Sequence, residues 1–212
     1  MEDRMPRRRS WAIGGGLLVA SGVLLAAGSA GVGGAGGLRI AAVAAASAAY
    51  LVFALGIPDG GRVAGAGRTG TASLAILAVW SLVSAILWAT PADLTPVLDW
   101  VTVASWVDLL GQLALAAVAA AGIARAGIVP SPWNRAPLWA LAATVLPAIA
   151  TQVLVAADPA GAQEWAPVLA GLGALVATGV PISLGVIALV LAQRPVPERS
   201  VEVFSSADAD LS

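Results

Sequence analysis

The sequence predicts an all-α fold, a polytopic integral membrane bundle of six transmembrane helices with both termini in the cytoplasm. Three observations carry that expectation. The chain has 212 residues, 59% of them hydrophobic and 11% charged, with a mean hydropathy of +0.89, whereas ordinary soluble domains carry roughly 25% charge. It divides into six apolar stretches, each close to the roughly 20 residues that carry a helix through a hydrocarbon core about 30 Å thick. Its arginines also fall almost entirely into the breaks that would share one side of a membrane.

The stretches are helices and not barrel strands, because they are continuously apolar and backbone groups in lipid must pair within the segment. The first spans about 11–30, after a basic tail over 1–10. "MPRRRSW" followed by an apolar run and "GSAG" has the outline of a cleavable signal. The run is longer than the roughly 7 to 15 residues of a signal core, so it is expected to be retained. The second spans about 38–57, after the Gly-rich "GVGGAGG", and the third about 71–90, after "GIPDGGRVAGAGRTG". The fourth spans about 99–123. The fifth, about 137–157, contains Pro147; the sixth, about 167–192, starts at a proline and contains Pro181. Each internal proline frees a carbonyl and permits a kink. The tail 193–212, rich in Pro, Ser and acidic residues with no apolar face, is expected to be disordered in the cytoplasm.

With the N-terminus inside, Arg4, Arg7, Arg8, Arg9, Arg62, Arg68, Arg125, Arg135, Arg194 and Arg199 are cytoplasmic and Arg39 alone is outside. Trp11, Trp133 and Trp139 then mark the inner interface and Trp88, Trp100 and Trp165 the outer one, leaving Trp80 at mid-depth. The use of Arg without Lys, with abundant Ala and Gly, suggests the cell membrane of a bacterium with a GC-rich genome.

Composition excludes many chemistries. Without Cys or His there are no thiolate or imidazole metal sites, no disulfides and no nucleophile systems built on either residue. Without Lys there is no Schiff base to retinal or pyridoxal phosphate. A membrane hydrolase or transferase would need paired carboxylates, and the acids reaching into the spans are Asp108 with Asp99 at the edge. The chain is therefore expected not to be an enzyme, and to use no cofactor or metal.

"GAGRTG", 65–70, fits the G-x-G-x-x-G spacing of dinucleotide-binding turns. That turn requires a strand before it and an acidic residue about 20 positions on. Here a membrane span precedes it and the apolar "SLVSAILWAT" follows, while "GVGGAG" repeats the spacing by chance at 31–36. It reads as a plain turn with Arg62 and Arg68 as anchors, and neither nucleotide nor nucleic acid is expected as a partner. "GIPDGGRVA" keeps only Asp59 and Gly60 of the D-x-x-D-G-x-x-A-R pattern of lipid-headgroup transferases, so their metal-bridged chemistry is not carried across. "VLDWVT", 97–102, looks like the third helix of microbial rhodopsins, but those have seven helices and a lysine, so nothing is carried over from them either.

Intramembrane polar residues need partners, and an ionisable one marks a candidate site. Along the fourth span Thr102, Ser105, Asp108 and Gln112 lie within an arc of roughly 120° at 100° per residue. At about 1.5 Å per residue, Ser84 and Gln152 come to the depth of Asp108, and Trp80 to that of Gln112. Two readings follow. Asp108 glues the bundle through hydrogen bonds to Gln152 or Ser84, or it is the acid of a small outward-facing pocket whose walls are Trp80, Trp88 and Trp106, with Ser105 and Gln112 beside it.

Small-xxx-small pairs (Gly16 with Ala20, Gly22 with Ala26, Ala41 with Ala45 and Ala49, Gly173 with Ala177, Gly179 with Ser183) permit close helix approach. They serve internal packing, or docking of another membrane subunit or a second copy. No internal repeat is visible, although a three-plus-three division would place inverted halves. Six helices, both ends inside and an acidic mouth lined by tryptophans look like the substrate-binding subunits of energy-coupling-factor vitamin importers. That resemblance lies in architecture alone; no motif matches and the outer loops are short. The leading expectation is a non-catalytic membrane subunit or packing protein in contact with the bilayer, and the alternative a transport or small-solute-binding component built around Asp108.

Overall fold

A computed structural model of the chain describes residues 5–31, 35–56, 68–89, 98–126, 129, 131–158 and 161–193. Among these, every long element is a helix: α1 (Met5–Ser29), α2 (Ala35–Leu55), α3 (Arg68–Ala89), α4 (Leu98–Arg125), α5 (Ala136–Ala157) and α6 (Gly161–Gln193), with a short 3-10 turn at Trp133–Arg135 leading into α5. All six are long and apolar enough to cross a membrane. A multi-pass membrane protein is what such helices fit. Residues 1–4, 32–34, 57–67, 90–97, 127–128, 130, 159–160 and 194–212, which include the expected disordered tail beyond Gln193 and the first half of "GAGRTG", lie outside the described residues.

Two helix starts lie well ahead of the sequence reading, while the other ends shift by at most about a turn. α1 is already helical at Met5, so part of the basic tail belongs to the helix; Arg is a good helix former and continues the pattern backwards. α6 begins at Gly161 and runs through Pro167. The start is set by Asp158, whose Oδ1 accepts the Gly161 backbone N–H at 2.9 Å, with Glu164 favourably placed in the first turn. The helix also continues through Pro147 in α5 and Pro181 in α6.

Helices consecutive in the chain are neighbours in space, and α6 closes back against α1, giving a ring. The ring is uneven. α1 packs most extensively, against both α6 and α2, while the α4–α5 seam is the sparsest. Glycines explain the tight side. A Cβ on Gly185 would lie 2.6 Å from the carbonyl oxygen of Gly15, and one on Gly15 would lie 2.8 Å from that of Gly185. Backbone therefore meets backbone where α1 crosses α6, the approach that small residues allow between membrane helices. Gly22 continues the contact, since a Cβ there would come within 2.9 Å of the Thr178 carbonyl. Gly16, Gly173 and Gly179 have open space around a Cβ, so of the glycine pairs named from spacing only the one containing Gly22 is used for close contact.

The core lies towards the end of the bundle that carries Arg68 and Arg125. Leu18, Ala49, Phe53, Ala54, Leu74, Ala119 and Ala188 form one buried cluster, and Trp11 lays its ring against Phe53 with centroids 5.8 Å apart. At the same end Gly122 of α4 sits so near α3 that a Cβ would fall 3.0 Å from the Gly70 Cα. α5, by contrast, has no buried residue.

Candidate functional site

Three residues of α3 share one face because they are spaced by four: Trp80, Ser84 and Trp88. That face meets Asp108 and Gln112, themselves four apart on α4. Asp108 collects them. Its Oδ1 accepts from Trp80 Nε1 at 2.6 Å and from Gln112 Nε2 at 3.1 Å. Its Oδ2 accepts from the Ser84 hydroxyl at 2.6 Å and from Trp88 Nε1 at 3.3 Å.

The chemistry of this set is one-sided. An indole N–H can only donate, and a carboxylate offers about four lone-pair directions. Four donors therefore occupy the acceptor capacity of the group, and a cation would reach an oxygen only by displacing one of them. What the arrangement does well is tie α3 to α4 at the end opposite the Gly70–Gly122 approach. Gly111, one turn from Asp108, leaves room for the ring of Trp80, which a Cβ would meet at 3.3 Å.

A second feature lies further along the same two helices. A cavity of about 400 Å³ occupies the half of the ring nearer Arg68 and Arg125, with walls from all six helices: Trp11 and Leu18, Tyr50 and Phe53, Leu74 and Leu77, Leu113 and Ala116, Ala140 and Leu141, Val180 and Leu184. Its lining is overwhelmingly apolar, and Ser81 and Gln112 form a polar spot on it. Gln112 joins the two features. Its Nε2 donates to Asp108 while its Oε1 accepts from the Ser81 hydroxyl at 3.4 Å.

The expected site residues thus separate. Trp80, Ser84, Trp88 and Gln112 converge on Asp108; depth counting puts Ser84 level with it and Trp80 level with Gln112. Gln152 is exposed on α5, across the sparse α4–α5 seam. Equal depth does not place two side chains on facing sides of their helices. Trp106 is exposed on α4 and Ser105 is exposed one turn before Asp108. Trp80, Trp88 and Trp106 are not among the walls of the cavity, where Trp11 and Trp133 stand instead. The void lies towards the arginine-bearing end of the bundle and not around Asp108. Ser81 was missed, although its place three residues before Ser84 on a helix put it within reach of the same face.

Comparison of the chain with protein-family models, with curated proteins and with solved structures gives no match.

Proposed function

We propose that this chain is a non-catalytic multi-pass protein of the cell membrane that binds a small, largely apolar molecule in the ring of its six helices. The reading is supported by one observation above others: the cavity of about 400 Å³ with apolar walls and a polar spot at Ser81 and Gln112. Ligand sites are typically concave spaces of roughly 300–1,000 Å³, mainly apolar with a few placed polar groups. In the proposed topology both termini are cytoplasmic, the arginine end faces the cytoplasm and the cavity occupies the inner half of the bilayer. Asp108 then orients Gln112 and holds α3 against α4, and does not itself meet the ligand.

The test is extraction and mass spectrometry of the purified protein, beside an Ala116→Trp variant that fills the cavity from α4. A small apolar species that copurifies with the parent and is lost from a monodisperse variant supports the proposal. Equal recovery from both would overturn it.

A second reading, a non-catalytic subunit that docks on another membrane protein, is favoured by α5, which has no buried residue, and by the open faces of Gly171 and Gly173 on α6. Isolation from gently solubilised membranes with a stoichiometric partner cross-linked to α5 or α6 supports it.

A further inference from the structure

We infer that the cavity is filled sideways from the bilayer, through the seam between α5 and α6, by the hydrocarbon chain of a membrane lipid. The inference rests on the proposed binding role and adds the ligand class and its route.

A groove runs along the outside of α5 and α6, between Trp139 and Ala143 on one helix and Leu175, Val176 and Gly179 on the other. It shares six wall residues with the internal cavity: Trp133, Ala136, Ala140, Val180, Leu184 and Ile187. Each of these is half-buried, with the void on one side and the groove on the other. The two spaces thus share a wall, and on the α5 side two of its members are alanines. α5 presents little resistance to a small displacement, because none of its residues is buried.

The occupant follows from what each surface can accept. Trp139 and Leu175, on the groove, are 71% and 72% exposed, which in a spanning helix means contact with acyl chains. The cavity behind the seam is apolar except at the Ser81 and Gln112 spot, so transfer of a chain from groove to void exchanges one largely hydrocarbon environment for another. A water-soluble ligand would have to leave its hydration behind. The seam also ends at an interface-type turn, where Trp133 lines both spaces and Arg135 is exposed two residues on; Trp and Arg at a helix end suit the headgroup level.

The experiment uses the full chain in phosphatidylcholine vesicles doped with a phospholipid that carries a diazirine at the end of one acyl chain. After photolysis, labelled residues are mapped by peptide mass spectrometry. Labelling of Leu113 and Ala116, which line the cavity alone, is expected in the parent. Ala140→Trp, which thickens the shared wall, is expected to cut that labelling severalfold, whereas Ile149→Trp, on an exposed face of α5 that lines neither the cavity nor the groove, leaves it unchanged. Ile187→Trp serves as a second variant of the shared wall should Ala140→Trp not remain monodisperse. Labelling confined to Leu175 and Val176 overturns the inference. A short water-soluble aryl diazirine separates it from the binding role. If that probe labels Leu113 and Ala116 while the lipid does not, the cavity binds but the lipid route is wrong, and if neither probe labels them both proposals fall.

Discussion

The Ser84 hydroxyl stands 2.6 Å from Oδ2 of Asp108, a link by which α3 and α4 hold one another at the end away from their glycine contact. Trp80 donates to the other oxygen at the same distance, so the carboxylate is clamped from both sides. Asn at this position keeps the shape but replaces one acceptor oxygen by an NH2, which then faces two donors. Asp108→Asn is therefore expected to destabilise the protein in detergent by roughly 1–3 kcal/mol, the cost of leaving such groups unpaired. Asp108→Leu strips the acceptor from four donors and should lower the melting temperature further. Thermal unfolding of the two variants checks the order, and an Asn variant as stable as the parent would refute the clamp.

How much of this was legible in the sequence differs from feature to feature. Helix number and approximate bounds were, because length and continuous apolarity are local properties. The start of α6 is readable too, in Asp158 and Glu164 of "DPAGAQE", whereas the apolar run alone begins at Pro167. The convergence of Ser84, Trp80 and Trp88 on Asp108 was half legible, since counting residues gives depth and the spacing of four gives a face. Gln152 shows what the count lacks, which is the angle at which a neighbouring helix presents that face. The cavity was not legible at all. A void belongs to the packing of six helices and leaves no mark on any one of them.

Gly15 and Gly185 set the distance between α1 and α6, and their positions were hidden among glycines of no structural consequence. Gly185→Ala would drive a Cβ into the Gly15 carbonyl and the Val19 backbone nitrogen, 2.6 and 2.9 Å away. Backbone cannot step aside as a flexible side chain can, so the helices must separate. Overpacking of this kind costs typically 1–3 kcal/mol. Gly179→Ala on the same helix meets nothing within 4 Å and should be neutral or slightly stabilising, since Ala is the better helix former. Comparative melting curves decide the matter, and equal losses in the two variants would show that the α1–α6 crossing does not govern the effect.

"GAGRTG" contributes to packing through its last residue. Gly70 is buried in the first turn of α3, beside Gly122 of α4, while Gly65 and Gly67 lie outside the described residues. Gly65→Ala with Gly67→Ala is expected to leave stability and function unchanged, whereas Gly122→Ala should lower the melting temperature by pressing a Cβ against the Gly70 Cα, 3.0 Å off. Calorimetry with ATP and NAD should show no binding in any of these proteins. Saturable heat with either nucleotide, lost in the double variant, would reverse that reading.

Orientation remains a proposal that rests on arginine. Reporter fusions after residues 65, 130 and 205 are expected to read out in the cytoplasm, and those after 34, 94 and 162 on the opposite side. The result bears on the cavity as well as on the tails, because Arg68 and Arg125 mark the end of the bundle around which it is built. An external C-terminal reporter would invert the scheme and move the cavity to the outer leaflet.

Gln112 is where the clamp and the cavity meet, and it allows the two to be tested apart. Its amide nitrogen serves Asp108 and its oxygen serves Ser81, yet the side chain also forms part of the cavity wall. In Gln112→Leu the carboxylate still holds Trp80, Ser84 and Trp88, so the fold should persist with a modest loss of stability. The wall, however, becomes apolar where it had been polar, apart from Ser81. A ligand whose chain ends in a hydroxyl should then lose about one hydrogen bond, worth roughly 0.5–1.5 kcal/mol, which corresponds to about a twofold to tenfold weakening. A ligand without the hydroxyl should bind as well as before or better. The measurement is the stabilisation produced by 1-decanol and by decane in parent and variant at matched free concentrations. The parent is expected to prefer the alcohol and the variant to lose that preference. An unchanged preference would mean that the polar end of the ligand does not reach Gln112, and that the cavity is occupied in some other direction.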